Sequence, residues 1–230
     1  MPRLSHGLLA SFALASFASA QSIVRLSVTP TGAEANDHSG DGNISADGRV
    51  VAFCSYASNL VPSDTNGSPD IFVHDRVLGT NRRVNVTSAG IEAQGMSVLP
   101  FLSANGRFVA FASLAQLDLW VVSDWRVFVH DLELATTTQI TLMNATARGI
   151  SDDGRFVLVS TLWAIDPHDT NSSEDIYVYD RVASTYELIS VDLSGTAAGG
   201  RIVYLQAWWR DPPSPKTSML SNALQFDVMQ

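Results

Sequence analysis

Two stretches of this 230-residue chain set oxygen-bearing side chains at the spacing a hard cation would use. Asp64-Thr65-Asn66-Gly67-Ser68-Pro69-Asp70 and Asp169-Thr170-Asn171-Ser172-Ser173-Glu174-Asp175 both carry Asp, Asn and Asp at first, third and seventh positions, offset by 105 residues. That pattern matches part of a calcium loop, which makes Asp64, Asn66, Asp70 and Asp169, Asn171, Asp175 candidate calcium ligands. Calcium takes about six to eight oxygens. The twelfth positions that would complete such a loop are Asp75 and Asp180, at the ends of strand-like apolar runs and expected to point elsewhere. The competing reading is that Asp64 and Asn66 cap a turn by accepting bonds from nearby backbone amides.

His74 and His130 share one repeat position, and Tyr179 takes it in a third copy. A catalytic histidine would not be exchanged for tyrosine, whereas an amphipathic ring packed at a strand end suits all three. Asp75, Asp131 and Asp180 follow and suit the turn into the next strand. Cys54, the only cysteine, lies in the apolar run from Val50 and reads as a small buried hydrophobe, with no intrachain disulfide to form. The sequence has no Gly-x-Ser-x-Gly elbow, no His/Cys cluster and no Gly-rich loop that opens a helix. Ser45-Ala46-Asp47-Gly48 falls short of the sialidase box. No catalytic residue is therefore assigned and calcium is the one cofactor the pattern admits. A hydrolase with a carboxylate pair in its channel is the enzyme alternative.

The net charge of −9, with Lys216 the only lysine, supplies no basic stripe for nucleic acid or an anionic membrane. An apolar content of 46% is ample for a core. The residues of interest sit in a phrase written three times. Ser45-Ala46-Asp47-Gly48-Arg49 returns as Ser103-Ala104-Asn105-Gly106-Arg107 and as Ser151-Asp152-Asp153-Gly154-Arg155, 58 and then 48 residues apart. Each copy runs into an apolar strand and then a second phrase, Asp70-Ile71-Phe72-Val73-His74-Asp75, Arg126-Val127-Phe128-Val129-His130-Asp131 or Asp175-Ile176-Tyr177-Val178-Tyr179-Asp180.

Four strands per repeat follow: 42–45, 49–55, 71–75 and 82–87; then 97–103, 107–113, 126–131 and 137–141; then 146–151, 155–161, 176–180 and 186–191. The Asp-Gly or Asn-Gly pairs predict two-residue hairpins with both central residues at positive φ. In the third strands Ile71 and Val73 face one way and Phe72 the other, so both sheet faces are apolar and both must be covered. Stacked blades satisfy this, and short strands at a period near fifty predict an all-β fold, a β-propeller of four-stranded antiparallel blades with three recognisable and the ring incomplete.

These phrases resemble the TolB-like, WD-repeat-like β-propeller repeats of bacterial exported proteins, over roughly residues 23–199. The resemblance implies an architectural repeat and binding of protein partners rather than catalysis. The α/β domain that precedes the propeller in TolB has no counterpart here, so TolB's own role is not carried over. Residues 1–20, with Arg3, a short apolar run and Ala18-Ser19-Ala20, read as a signal peptide, giving an exported, periplasmic or extracellular product with no membrane span. Residues 21–200 form the repeats, 23–28 reading as the last strand of a preceding blade, and 201–230 a divergent or disordered tail. The expected function is a non-catalytic module that binds a protein or glycan or serves structurally, with a calcium-stabilised structural propeller as the alternative. Three blades leave apolar faces without neighbours, so a homo-oligomer completing a ring of about six blades, or a fragment of a longer propeller, is also expected.

Overall fold

In each repeat the turn phrase is closed by hydrogen bonds among its own residues. Ser45 Oγ donates to Asp47 Oδ1 at 2.6 Å, and Asp47 Oδ1 also accepts the Arg49 amide at 2.9 Å. Gly48 N donates to Ser45 O at 2.9 Å, and Ser45 N to Val50 O at 2.9 Å. The same bonds recur through Ser103, Asn105 and Arg107, and through Ser151, Asp153 and Arg155. Only the glycine of each turn is left-handed, with φ of 71°, 72° and 76° at Gly48, Gly106 and Gly154. The hairpin expected with two positive-φ centres is therefore corrected. Ala46 and Asp47 take the centre of a four-residue turn closed by Gly48 N on Ser45 O, and Gly48 follows it, because Asp47 is held by Ser45 and the Arg49 amide.

The computed structural model describes residues 23–115, 117, 124–141 and 144–191. The expected signal segment at 1–20 and tail at 201–230 lie outside them. Twelve strands form three four-stranded antiparallel sheets, each a meander. The first blade is β1 (Ser39–Ile44), β2 (Val50–Ser55), β3 (Asp70–Asp75) and β4 (Thr80–Arg83). The second is β5 (Ser97–Leu102), β6 (Phe108–Ser113), β7 (Arg126–Asp131) and β8 (Thr136–Gln139). The third is β9 (Ala145–Ile150), β10 (Phe156–Thr161), β11 (Asp175–Asp180) and β12 (Thr185–Leu188). Register repeats as well, with Ala52 opposite Val73, Ala110 opposite Val129 and Leu158 opposite Val178. The fold is an all-β array of propeller blades.

Both faces of the middle strands are covered in the first and second blades, whereas Leu158, Ile176 and Val178 on the outer face of the third are half-buried. Ile71 and Val73 of the first blade join Phe111 and Phe128 of the second in one core. Val127 and Val129, on the other face of the second blade, meet Val157, Val159 and Tyr177 of the third. Phe72 turns away from the second blade, to Leu60 and Ala57 of the β2–β3 loop.

Two further contacts tie the array. The arginine that ends each turn phrase clamps the aspartate that ends the third strand, with Nη2 to Oδ2 distances of 2.8, 2.7 and 2.6 Å for Arg49–Asp75, Arg107–Asp131 and Arg155–Asp180. The other carboxylate oxygen accepts two amides of the next turn, Val77 and Leu78 in the first blade. Between blades, Asn81, Thr137 and Tyr186 on the outer strands donate to Val28 O, Val86 O and Ile140 O of the preceding repeat unit. Gly154 sits directly under the Phe108 ring of the second blade, where a Cβ would overlap that ring.

Gly154→Ala and Gly48→Ala share the cost of a left-handed alanine, about 1–2 kcal/mol. Only the former also meets a ring, so it is expected to be less stable by about a further 1–3 kcal/mol in urea denaturation. Equal losses would show that the turn does not nest against Phe108. The Arg49 and Arg155 bonds, first among the causes, hold the Asp75 and Asp180 pKa values down to about 2. Both lie below the unfolded value of about 3.9, so this stabilisation is complete above that pH and lost as pH falls toward 2. The double variant Asp75→Asn/Asp180→Asn should melt below the wild type at neutral pH and converge with it near pH 2.

Candidate functional site

The loops that bear the candidate calcium ligands join the second and third strands of the first and third blades. They lie at the opposite end of the sheets from the turn phrases. In the first blade Asp70, wholly buried, opens β3. Its Oδ1 accepts Nδ2 of Asn85 at 2.6 Å and of Asn66 at 3.0 Å, while its Oδ2 accepts Arg83 Nη1 at 2.9 Å. Arg83 Nη1 also lies 2.5 Å from Glu92 Oε1 and 3.5 Å from Asp64 Oδ1. One guanidinium thus stands among three carboxylates, Asp64, Asp70 and Glu92, one oxygen of each lying within 4.8 Å of the others. Arg83 reaches them because β4 pairs it with Phe72, two residues beyond Asp70.

Asn66 acts as the turn cap that its residue type favours. Its Oδ1 accepts the Ser68 amide at 2.8 Å, and its Nδ2 also donates to Ala93 O at 2.8 Å. Thr65 donates to Glu92 through its amide and hydroxyl, at 2.9 and 2.6 Å. Burial opposes ionisation of Glu92, but the two Thr65 bonds and Arg83 outweigh it and lower its pKa. Asp64 goes the other way. Burial first, then the Asp70 carboxylate, push it up to about 6 against the pull of Arg83.

The third blade repeats the loop but not its centre. Asp169 Oδ2 accepts the Tyr177 hydroxyl, Asp175 Oδ1 accepts Ser190 Oγ at 2.5 Å, and Asn171 Oδ1 accepts the Ser173 amide at 2.6 Å. Burial and then the Asp169 bond push the Tyr177 phenol up to about 12. The strand position that holds Arg83 in the first blade, opposite Phe72, holds Leu188 here, opposite Tyr177. Asp169 Oδ1, Asn171 Nδ2 and Asp175 Oδ2 are buried with no partner among the described residues. In the second blade the Asp70 position is Arg126, whose Nη1 donates to Gln139 Oε1 at 3.0 Å.

Asp75 and Asp180, the twelfth positions of the loops, lie at the far end of the sheet in their arginine clamps. His74 Nδ1 pairs with Asn81 Oδ1 at 2.8 Å and His130 Nδ1 with Thr137 Oγ1 at 2.9 Å, while the Tyr179 ring packs on Tyr186. These rings therefore brace the residues that bridge blades, and burial lowers the His130 pKa to about 4, keeping it neutral at pH 7. Cys54 is buried, its thiol pushed up to about 12 by burial, so it is no thiolate nucleophile. Sequence reasoning missed Arg83 and Glu92. The signal was there: Arg25 and Glu34, also an ion pair, precede them by the same 58 residues that separate the first two turn phrases.

No protein-family model matches the chain, and no curated protein matches it. Among solved structures it is similar to TolB from Acinetobacter baumannii, at 17% identity and a TM-score of 0.46 over 70% of this chain and 34% of that one. It is similar also to the β-propeller domain of the trilobed protease from Pyrococcus furiosus, at 15% and 0.45 over 67% of this chain and 44% of the other. For the acylaminoacyl peptidase from Pyrococcus horikoshii the values are 16% and 0.43, over 66% and 24%. The chain therefore spans less than half the length of each of these proteins. No activity is carried over from them.

The folded-state pKa of Asp64 lies above its unfolded value, so ionising it in the folded protein costs stability as pH rises from about 4 through 6. Asp64→Asn removes that cost. Its melting temperature relative to the wild type should climb by a few degrees between pH 4 and 7 and then level off. A constant difference across that range would show that Asp64 does not titrate there.

Proposed function

We propose that this chain is an exported, non-catalytic propeller module that binds a protein partner through the end of the array formed by its turn phrases. One observation carries the reading. The turns between third and fourth strands expose a large aliphatic in every blade, Val77 and Leu78, then Leu134, then Val182. These side chains follow the clamp aspartates Asp75, Asp131 and Asp180 by two or three residues. A cleft of about 270 Å³ between the first two blades is lined there by Arg49, Asp75, Arg107 and Glu133. Aliphatic side chains repeated on successive blades, with charged groups beside them, match the apolar centre and polar rim of protein interfaces. A glycan would be better met by stacking aromatics. The repeated ionisable groups support the same reading, since Asp75, Asp131 and Asp180 are each held by an arginine and turn amides.

The test has two parts. Capture from the secreted and periplasmic proteins of the source cell should give one partner with the wild type. The triple variant Leu78→Glu/Leu134→Glu/Val182→Glu, with an unchanged circular-dichroism melt, should lose it. The purified protein should not turn over a panel of glycosides, esters and peptides. Turnover abolished by replacing a single acidic residue would overturn the proposal in favour of a hydrolase, and capture unaffected by the triple variant would move the binding surface elsewhere.

A further inference from the structure

The first and third blades carry loops with the same Asp, Asn and Asp spacing, and the third lacks the arginine of the first. In the first, Asp70 Oδ2 and Asp64 Oδ1 converge on Arg83 Nη1, at 2.9 and 3.5 Å. In the third, the matching residues Asp175 and Asp169 are more than nine-tenths buried, with 1% and 7% of their surface exposed. Yet Asp175 Oδ2 and Asp169 Oδ1 have no partner among the described residues, and Leu188 stands where the arginine would be. The chain also carries Ala197 at the repeat position of Glu92. Buried carboxylate oxygens without a donor are costly, and a charge in such a place is normally matched by an opposite one.

We propose that the third blade binds a hard divalent cation, calcium, through Asp169 Oδ1 and Asp175 Oδ2, in the position that the Arg83 guanidinium occupies in the first blade. The other oxygens of these carboxylates are already taken by Tyr177 and Ser190, which leaves Asp169 Oδ1 and Asp175 Oδ2 available to a ligand. Asn171 serves as a cap here too, its Oδ1 bonded to the Ser173 amide. Two carboxylates are a small donor set for an ion that takes about six to eight oxygens, so carbonyls and water complete the shell. Affinity then falls in the range of extracellular modules, about 0.1–1 mM. The second blade takes no cation, having Arg126 in place of the aspartate.

The full chain is melted in about 10 mM calcium chloride and in chelator. Mass action predicts that calcium raises the wild-type melting temperature by roughly 3–10 °C. Leu188→Arg supplies the missing guanidinium and should melt higher in chelator and respond no further to calcium. Arg83→Leu should convert the first blade to the same dependence and enlarge the response. Terbium offers a readout that does not rely on these variants folding. Bound beside Asp169, it should emit on excitation of Tyr177, calcium should displace it, and Tyr177→Phe, which restores the residue type of the first blade, should dim it. Identical wild-type melts with calcium and chelator would overturn the proposal. A calcium response undiminished in a folded Leu188→Arg protein, or terbium emission indifferent to both calcium and Tyr177→Phe, would do so equally.

Discussion

The clamp between the arginine that ends the turn phrase and the aspartate that ends the third strand is the contact on which each blade depends. It joins groups 26, 24 and 25 residues apart in Arg49–Asp75, Arg107–Asp131 and Arg155–Asp180. The guanidinium meets the carboxylate through both Nε and Nη2, a geometry that fixes direction as well as distance. The carboxylate then closes the next turn by accepting two of its amides, so one side chain sets the ends of three strands. For Asp131 burial resists ionisation, but the Arg107 bond and two turn amides outweigh it and lower the pKa. Remove the arginine and the carboxylate would still cap its turn, but only backbone bonds such as Arg76 N to Arg49 O, and the Arg76 guanidinium on Gly48 O, would hold that turn against the first hairpin.

The clamp also explains what the sequence disclosed and what it hid. Strand positions were readable because alternation is local: Ile71 and Val73 against Phe72 required two covered faces, and the structure puts them in separate cores. The three turn phrases were readable because serine, Asp or Asn, and glycine act within six residues of one another. The left-handed state of the aspartate was misjudged, since its φ depends on which neighbour captures the carboxylate. Asp47 is captured by Ser45 and the Arg49 amide. The arginine partners were hidden for a different reason. Nothing local distinguishes Arg49, which meets one aspartate, from Arg83, which meets three carboxylates; strand register decides it, and register is a property of the assembled sheet.

The candidate loops show the same division. Oxygen spacing alone marked Asp64 and Asp169 as equivalent, yet Asp64 faces a guanidinium, while in the third blade the strand position of that arginine holds Leu188 and Asp169 accepts the Tyr177 hydroxyl. A single outer-strand residue thus differentiates loops that read alike. The second blade goes further, with the charge at the head of the third strand reversed to Arg126 and its partner changed to Gln139. Three solutions to one buried polar position coexist because each sheet carries its own pair.

The bonds between blades carry a consequence for how such chains change length. Asn81, Thr137 and Tyr186 differ in chemistry, but each donates to a backbone carbonyl of the repeat before it, and the turns nest through glycines. The acceptors of these joints are peptide carbonyls that every blade presents, so the donor can change while the joint persists. Unequal recombination in register would therefore keep these hydrogen-bonded joints, and where the facing apolar residues also match, as Ile71 and Val73 meet Phe111 and Phe128, blade number becomes a quantity that inheritance can alter in whole steps. Private residues, such as Arg83 or Leu188, would travel intact with their own blade through every such event.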